Sequence, residues 1–299
     1  MTKTITWLIS MMLTIFLGGC SRNILEEPNT TGNNLKIDFN VDDVIHPLKV
    51  KIYEAKIVDL QKIDFLKVFD HDFEETDFSS YRFAISKSGV IEKLEAINAL
   101  DLIMSDFNQE NLNFSSYDKA LTEMKSRLSE AGLSNLTVSL FNSLTSEKIK
   151  SQAEHVQSDY NQKQLDSLDE VYLVSFNQHL NNIPILGVNE TGIFDSIHTV
   201  YSKNGFEYVT LEGLLEGFEI VEEVFIISAI ESINKMKELY GQTLNLADVA
   251  IHSLELVYIY NQFGRLVPIW LVELSKNEEF GIRYGFFHLI DAITGELIW

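Results

Sequence analysis

A single cysteine, Cys20, limits what this 299-residue chain can fold into more than any other feature. One thiol forms no intrachain disulfide, no cysteine-rich zinc site and no redox pair. The fold must therefore rest on packing, and the composition supplies the material. Hydrophobic residues make up 45% of the chain and aromatics 11%, with 19 Phe and 11 Tyr. This is the profile of a packed globular chain rather than a disordered one. At ~150 residues per domain, the length leaves room for roughly two domains.

The position of that cysteine carries a second message. Lys3 is the only charge ahead of an apolar run from Ile5 to Leu17. The run is shorter than the ~20 residues a membrane-spanning helix needs, and its length fits the apolar region of a signal peptide. It closes on Leu17-Gly18-Gly19-Cys20, which resembles a bacterial lipobox. The resemblance implies diacylglyceryl transfer to the Cys20 thiol and cleavage before it. The expected location is the cell membrane, lipid-anchored on its extracytoplasmic face. Two acyl chains hold a protein stably where one does not. Residues 1–19 then form a lipoprotein signal peptide. Residues 20–34, with Pro28 and Gly32 and no apolar periodicity, form a flexible tether.

Charge narrows the partners. The chain has 23 Lys+Arg against 44 Asp+Glu, a formal net charge of −21. Nucleic-acid affinity rests on cations neutralising phosphates, so nucleic acid is excluded as an expected partner. Anionic headgroups repel such a surface, so membrane attachment falls to the diacylglyceryl anchor on Cys20.

The folded part reads as three stretches, 35–112, 113–219 and 220–299. In the first, Lys49 to Val58 alternates like a strand, Tyr81 to Ile85 forms a second, and Ile91 to Met104 has near-helical spacing. In the second, Ser115-x-x-Asp118 is a capping-box pattern ahead of Ala120, Leu121, Met124 and Leu128, and Gly132 ends the helix. Ile197 to Tyr201 and Phe206 to Leu211 flank Asn204-Gly205, which predicts a hairpin with a type I′ turn. In the third, Ser228-x-x-Glu231 opens another helix, closed by Gly241, and three strands follow at His252–Tyr260, Leu266–Leu274 and Tyr284–Ile290. Pro268 predicts that the middle strand lies at an edge or begins with a bulge. The last two stretches share one plan, a Ser-capped helix followed by antiparallel strands. Strands with helices on one face argue for an α+β fold of antiparallel sheets, each packed by a helix.

Some residues of the third stretch are familiar as a set. They are Ile226-Ile227-Ser228-Ala229-x-Glu231, Leu254-x-Leu256-Val257-Tyr258, Leu266-Val267-Pro268-Ile269-Trp270 and Asp291-Ala292-Ile293-Thr294-Gly295-Glu296. Together they resemble the PepSY-like superfamily, and in particular the YycI-type extracytoplasmic regulators. The resemblance implies tandem PepSY-like units at 113–219 and 220–299, after an N-terminal α+β region at 35–112. It also implies a non-catalytic module that binds or modulates a membrane or secreted protein of the sensor-kinase or peptidase class. YycI-type proteins hold on through an uncleaved transmembrane helix, whereas this chain resembles a lipoprotein.

No motif for chemistry competes with that reading. There is no Gly-x-Ser-x-Gly elbow, no phosphate-binding Gly-rich loop, no dinucleotide fingerprint and no His-Glu-x-x-His. The expectation is therefore no enzyme, no cofactor and no metal. The acidic run Asp70 to Asp77 lacks the glycine and spacing of an EF-hand loop and reads as solvated, with calcium as the alternative. Tyr258, Tyr260, Pro268 and Trp270 are the candidate partner-binding residues, because aromatics anchor interfaces and an open sheet edge at Pro268 would accept an added strand. The alternative function is a solute-binding lipoprotein holding a small ligand between its units.

Overall fold

A computed structural model describes residues 35–41, 44, 46–78, 80–96, 109–155, 170–189, 192–243, 249–277 and 283–298. Leu17, Gly18, Gly19, Cys20 and the tether lie outside the described residues. In chain order the strands are β1 (Leu35–Ile37), β2 (Lys49–Ile57), β3 (Phe73–Asp77), β4 (Tyr81–Ser86), β5 (Leu136–Leu144), β6 (Val171–Leu180), β7 (Ile183–Asn189), β8 (Gly192–Phe194), β9 (Ile197–Ser202), β10 (Gly205–Glu212), β11 (Leu215–Phe225), β12 (Val249–Tyr260), β13 (Arg265–Asn277) and β14 (Arg283–Asp291). The helices among the described residues are α1 (Val90–Ala96), α2 (Tyr117–Glu130), α3 (Ser146–His155) and α4 (Ala229–Thr243). The fold is mixed α and β and largely antiparallel.

The chain forms two compact units that do not follow chain order. A central unit takes Ile57–Leu180 and Ile193–Glu216, and a terminal unit takes Met1–Lys56, Asn181–Gly192 and Gly217–Trp299. The stretch 35–112 thus contributes to both.

The central unit is an antiparallel sheet in the order β5-β6-β9-β10-β4-β3. Its core gathers Ala120, Met124 and Leu128 of α2 with Tyr172, Val174, Phe176, Phe206 and Val209 of the strands. The three α2 residues recur at helical spacing, so one face is apolar and the rest polar. Each large side chain fully buried this way contributes about 1.5–3 kcal/mol over leaving it exposed. The expected Ser115 capping box is not formed. Ser116 is the N-cap and makes no side-chain cap bond. The first helical amide, from Tyr117, donates instead to Asn111 Oδ1 at 2.9 Å.

The β9–β10 hairpin is present, but its turn differs from the expected one. Ser202 pairs with Gly205, leaving Lys203-Asn204 as the loop. Gly205 has φ +104° while Asn204 is not in the left-handed region. A type I′ turn needs positive φ at both central residues. This loop is a tight turn with the glycine at its end, the ladder slips by one residue between Phe206 and Tyr208, and a Cβ on Gly205 would lie 3.1 Å from Asp70 Oδ2.

The terminal unit is built on the long β12–β13 hairpin, paired from Val249↔Lys276 to Tyr260↔Leu266. β1 and β7 lie parallel to the two ends of β12. β13 pairs with β2 at Arg265 and Leu266, then with β14 from Ile269 onward. Pro268 falls at that change of partner. The strand is interior, not the expected edge. The missing N–H of proline costs nothing there because neither neighbouring ladder uses it, and the Pro268 carbonyl accepts from Ala292 N–H at 3.1 Å.

Helix α4 starts with the capping box read from the sequence. Glu231 N–H donates to Ser228 Oγ at 3.2 Å, and Ser228 N–H donates to Glu231 Oε2 at 2.7 Å. These donors hold the Glu231 carboxyl below its ordinary range. The Asp291–Glu296 turn has the role expected of its residues. Asp291 Oδ1 accepts from the amides of Ile293 and Thr294 at 2.7 and 2.9 Å, and Gly295 takes φ +74°. A Cβ at Gly295 would press on Ile227 Cδ1 at 3.3 Å and Lys235 Cε at 3.4 Å, so the glycine lets this turn sit against the start of α4.

Candidate functional site

Three places in the molecule concentrate chemically useful side chains. The first holds the aromatic residues read from the sequence. Trp270 and Tyr258 are buried, at 0% and 1% exposure. Alternation along β13 places Leu266, Pro268, Trp270, Val272 and Leu274 on one covered face. The Trp270 indole N–H donates to the Ile227 carbonyl at 3.1 Å, just ahead of α4. His46 meets the indole edge-on with ring centroids 5.0 Å apart, and its Nε2 accepts the Ala229 amide at 3.3 Å. That acceptor role puts the ring proton on Nδ1, which donates to the Pro47 carbonyl at 3.2 Å. Tyr258 and Tyr260 donate to the carbonyls of Lys51 and Ala55 at 2.6 and 3.0 Å, and Tyr260 is half-buried. Burial pushes the Tyr258 phenol well up, Tyr53 adds to this, and the Lys51 bond opposes it. These aromatics bind β2 and the α4 start to the hairpin, which leaves them off the open surface.

The second place is in the central unit, and nothing in the sequence pattern announced it. Glu207 on β10 has 0% exposure. It accepts from the hydroxyls of Ser88 and Ser202, each at 2.5 Å. His71 Nε2 stands 3.7 Å from Glu207 Oε2 and hydrogen-bonds Ser86 Oγ. Serine, histidine and a carboxylate invite comparison with a catalytic triad. In a triad, acid and nucleophile engage opposite ring nitrogens, whereas here both contacts fall on Nε2. Ser88 and Ser202 also spend their hydroxyl protons on Glu207, and their oxygens accept the amides of Val90 and Asn204 at 3.2 and 3.0 Å. The arrangement ties the β4–α1 turn to the β9–β10 turn. A second pair, Ser175 Oγ with His198 Nδ1 at 2.9 Å, is enclosed. Burial pulls the His198 imidazole down, with Asp195 opposing.

The acidic run beside this cluster is matched by cations. Residues Phe73–Asp77 form β3 rather than a loop. Arg82 contacts Glu75 at 2.6 Å and Asp77 at 2.7 Å, Arg127 contacts Asp70 at 2.6 Å, and Lys87 lies 3.6 Å from Glu74. Among the described residues no three His, Cys, Asp or Glu side chains are grouped to hold a metal ion.

The third place is the β2–β11 side of the terminal unit. Among the described strands, the sole neighbour of β11 is β2. Leu215, its first residue, bonds the Gln178 side chain through both its N–H and its C=O, at 2.8 and 2.9 Å, and beyond it no described strand pairs the other edge. From Glu219 to Glu223 both faces are open to solvent. Ile220 is 59% exposed and Phe225 69%. Lys49 on β2 fastens the far end, with its ammonium 4.3 Å from the Phe225 ring centroid and 3.7 Å from Glu223. On β2 and β13, Ile52, Glu54, Arg265 and Val267 line a shallow groove that ends at Phe263, which is 76% exposed. Large apolar side chains left exposed along an open strand edge mark a place where something else docks. This surface is the candidate site. The sequence signal for it was the near-continuous apolar and acidic strand ahead of Ser228, without the Lys or Pro that protects an edge.

No protein-family model and no curated protein matches the chain. Among solved structures it is similar to an uncharacterized protein from Eubacterium rectale, with a TM-score of 0.65 at 13% identity over 90% of this chain and 92% of that one. The class these observations define is a mixed α and β fold of largely antiparallel sheets, shared along nearly the whole chain with that protein. The C-terminal domain of Bacillus megaterium YpeB also aligns, with a TM-score of 0.32 at 11% identity over 83% of this chain and 87% of that one. A likeness that remote carries no argument. Among the described residues no helix is long and apolar enough to cross a membrane.

Proposed function

We propose that this protein is a lipid-anchored, extracytoplasmic, non-catalytic module, built of PepSY-like units, that binds or modulates a membrane or secreted protein. The observation that carries the reading is the open β11 edge with Ile220 and Phe225 exposed beside it. A strand in this state is costly to leave uncovered, because it invites pairing with other chains. The Leu17-Gly18-Gly19-Cys20 sequence supports acylation of Cys20 and retention at the membrane. The resemblance of the α4 start and the Asp291–Glu296 turn to YycI-type regulators supports a regulatory role.

The test is crosslinking of the tagged full chain in its own membrane, followed by mass spectrometry. The expected result is one dominant protein partner. Recovery of the protein without any specific partner overturns the reading. Cys20→Ser is expected to leave folding intact and release the protein from the membrane, and unchanged retention of that variant removes the lipid anchor from the proposal.

A further inference from the structure

We infer that β11 is a strand-addition site for a cationic extended segment, one whose lysines or arginines flank a pair of apolar residues. The inference rests on the binding role proposed above and names its chemistry.

Three properties of the strand specify the occupant. The first is backbone. An 11-residue edge strand turns about every second residue's N–H and C=O outward, which matches an extended peptide better than a helix or a small molecule. The second is apolar area. Ile220 and Val221 project to opposite faces in the middle of the strand and are both exposed, so an added strand would cover each with a cross-strand neighbour. The third is charge. Glu219, Glu222 and Glu223 flank those two residues, and Lys49, shared with Phe225, is the one cation paired with any of them among the described residues. Directly opposed unlike charges stabilise a strand pair, and like charges destabilise it.

Charge also disfavours a second copy of this chain, most directly in one register. An antiparallel β11–β11 pair centred on Val221 would set Glu219 against Glu223 on both sides of the axis, between chains that each carry −21. A cationic partner relieves the same repulsion. Read antiparallel from Glu223 back to Glu219, the complementary strand is Lys-Lys-Val-Ile-Lys. Two lysines face Glu223 and Glu222, the apolar pair faces Val221 and Ile220, and the last lysine faces Glu219.

The experiment uses the purified full chain and a fluorescent synthetic peptide carrying Lys-Lys-Val-Ile-Lys between Thr residues, with a Glu-for-Lys peptide as control. Anisotropy reads binding, and amide hydrogen exchange reads its location. The expected result is saturable binding of the lysine peptide alone, with protection gained at residues 217–225. The double variant E219K/E222K is expected to weaken it by about tenfold or more. Both substitutions are on exposed positions, so the fold is kept. Absence of binding, binding that protects another region, or an unchanged affinity in the double variant overturns the inference. Protection, before peptide is added, of the amides in 217–225 that face away from β2 also overturns it, by showing that a second copy or another segment of the chain already covers the edge. The membrane crosslinking above is read separately. A partner captured there with β11 unprotected overturns strand addition alone, and the lack of any partner overturns the binding role itself.

Discussion

Two of this protein's edge strands are treated in opposite ways. In the central unit the edge strand β3 has five residues and four of them are charged or polar. In the terminal unit the edge strand β11 has 11 residues and bears exposed Ile220, Val221 and Phe225. A short charged edge is how proteins discourage stray pairing, and a long apolar one invites it. The acidic residues differ in the same sense. On β3, Glu75 and Asp77 both reach Arg82 at 2.6 and 2.7 Å. On β11, Glu223 has only the longer contact to Lys49, at 3.7 Å. Both strands are acidic and exposed, but on β3 two carboxylates are tied to a buried guanidinium, whereas on β11 one carboxylate meets an exposed lysine. The comparison locates the surface where a partner is expected, and single substitutions can break it.

Arg82→Leu should do the most damage. The guanidinium is buried, donates to the Leu60 and Ile63 carbonyls at 2.8 and 2.6 Å, and lies 4.5 Å over the Phe65 ring. The variant strands two carbonyls and two carboxylates at once. We expect a loss of about 3 kcal/mol by urea unfolding, with β3 amides exchanging first. If β3 exchange is unchanged, Arg82 is not what seals that edge.

Glu207→Ala comes next. It leaves the Ser88 and Ser202 hydroxyls without their acceptor, Ser202 at a buried position and Ser88 at an exposed one. A loss of about 2 kcal/mol is expected in the same measurement. A neutral result would mean that water replaces the carboxylate, and that the two turns are held by packing.

These two residues also show why parts of the fold were legible in the sequence and parts were not. Ser228-x-x-Glu231 could be read because its bonds close within one helical turn. The same pattern at Ser115 failed because Asn111, in the preceding loop, reaches the first amide first. Ala120, Met124 and Leu128 were readable from spacing alone. Asn182 to Gly187, with Pro184 and Gly187, has the composition of a turn. There Ile185 and Leu186 pair in parallel with Tyr258 and Ile259, and this long-range pairing outweighs local preference. The Glu207 cluster joins Ser88 to a residue 119 positions away, a contact that no local pattern encodes. The aromatic stripe on β12 and β13 was visible, but whether it faced a core or a partner depended on what covers it. Pro268 pointed to an edge, and the edge lies two strands away, because a proline is equally at home where a strand changes partners.

On the open edge the effects should be smaller. Lys49→Ala removes the cation from Phe225 and Glu223, contacts on a surface screened by water. We expect a loss of about 1 kcal/mol and faster exchange confined to the end of β11 near Phe225. A loss as large as that of Arg82→Leu would mean that β11 is integral to the core, and the contrast between the two edges would fall.

The smallest effect tests the closed side again, through pH. Glu95 is on α1, which packs on β4 and β10. Partial burial raises its carboxyl to about 7, and the like charge of Glu92 adds to the shift. Its folded value therefore lies above its unfolded one. The folded state holds an extra proton between the two, so the contribution to stability is complete below the ordinary carboxylate range and is lost as the pH rises through about 7. Glu95→Gln keeps the neutral form at every pH. Wild type and variant should unfold alike near about pH 4, and the variant should be more stable near about pH 8. Because the group is half exposed, solvent screening reduces the difference to about 0.5 kcal/mol. A variant that is less stable at both pH values would show that the Glu95 carboxylate makes a favourable contact. Charge on the central unit's edge would then be matched at α1 as well as at β3, and the contrast with β11 would sharpen.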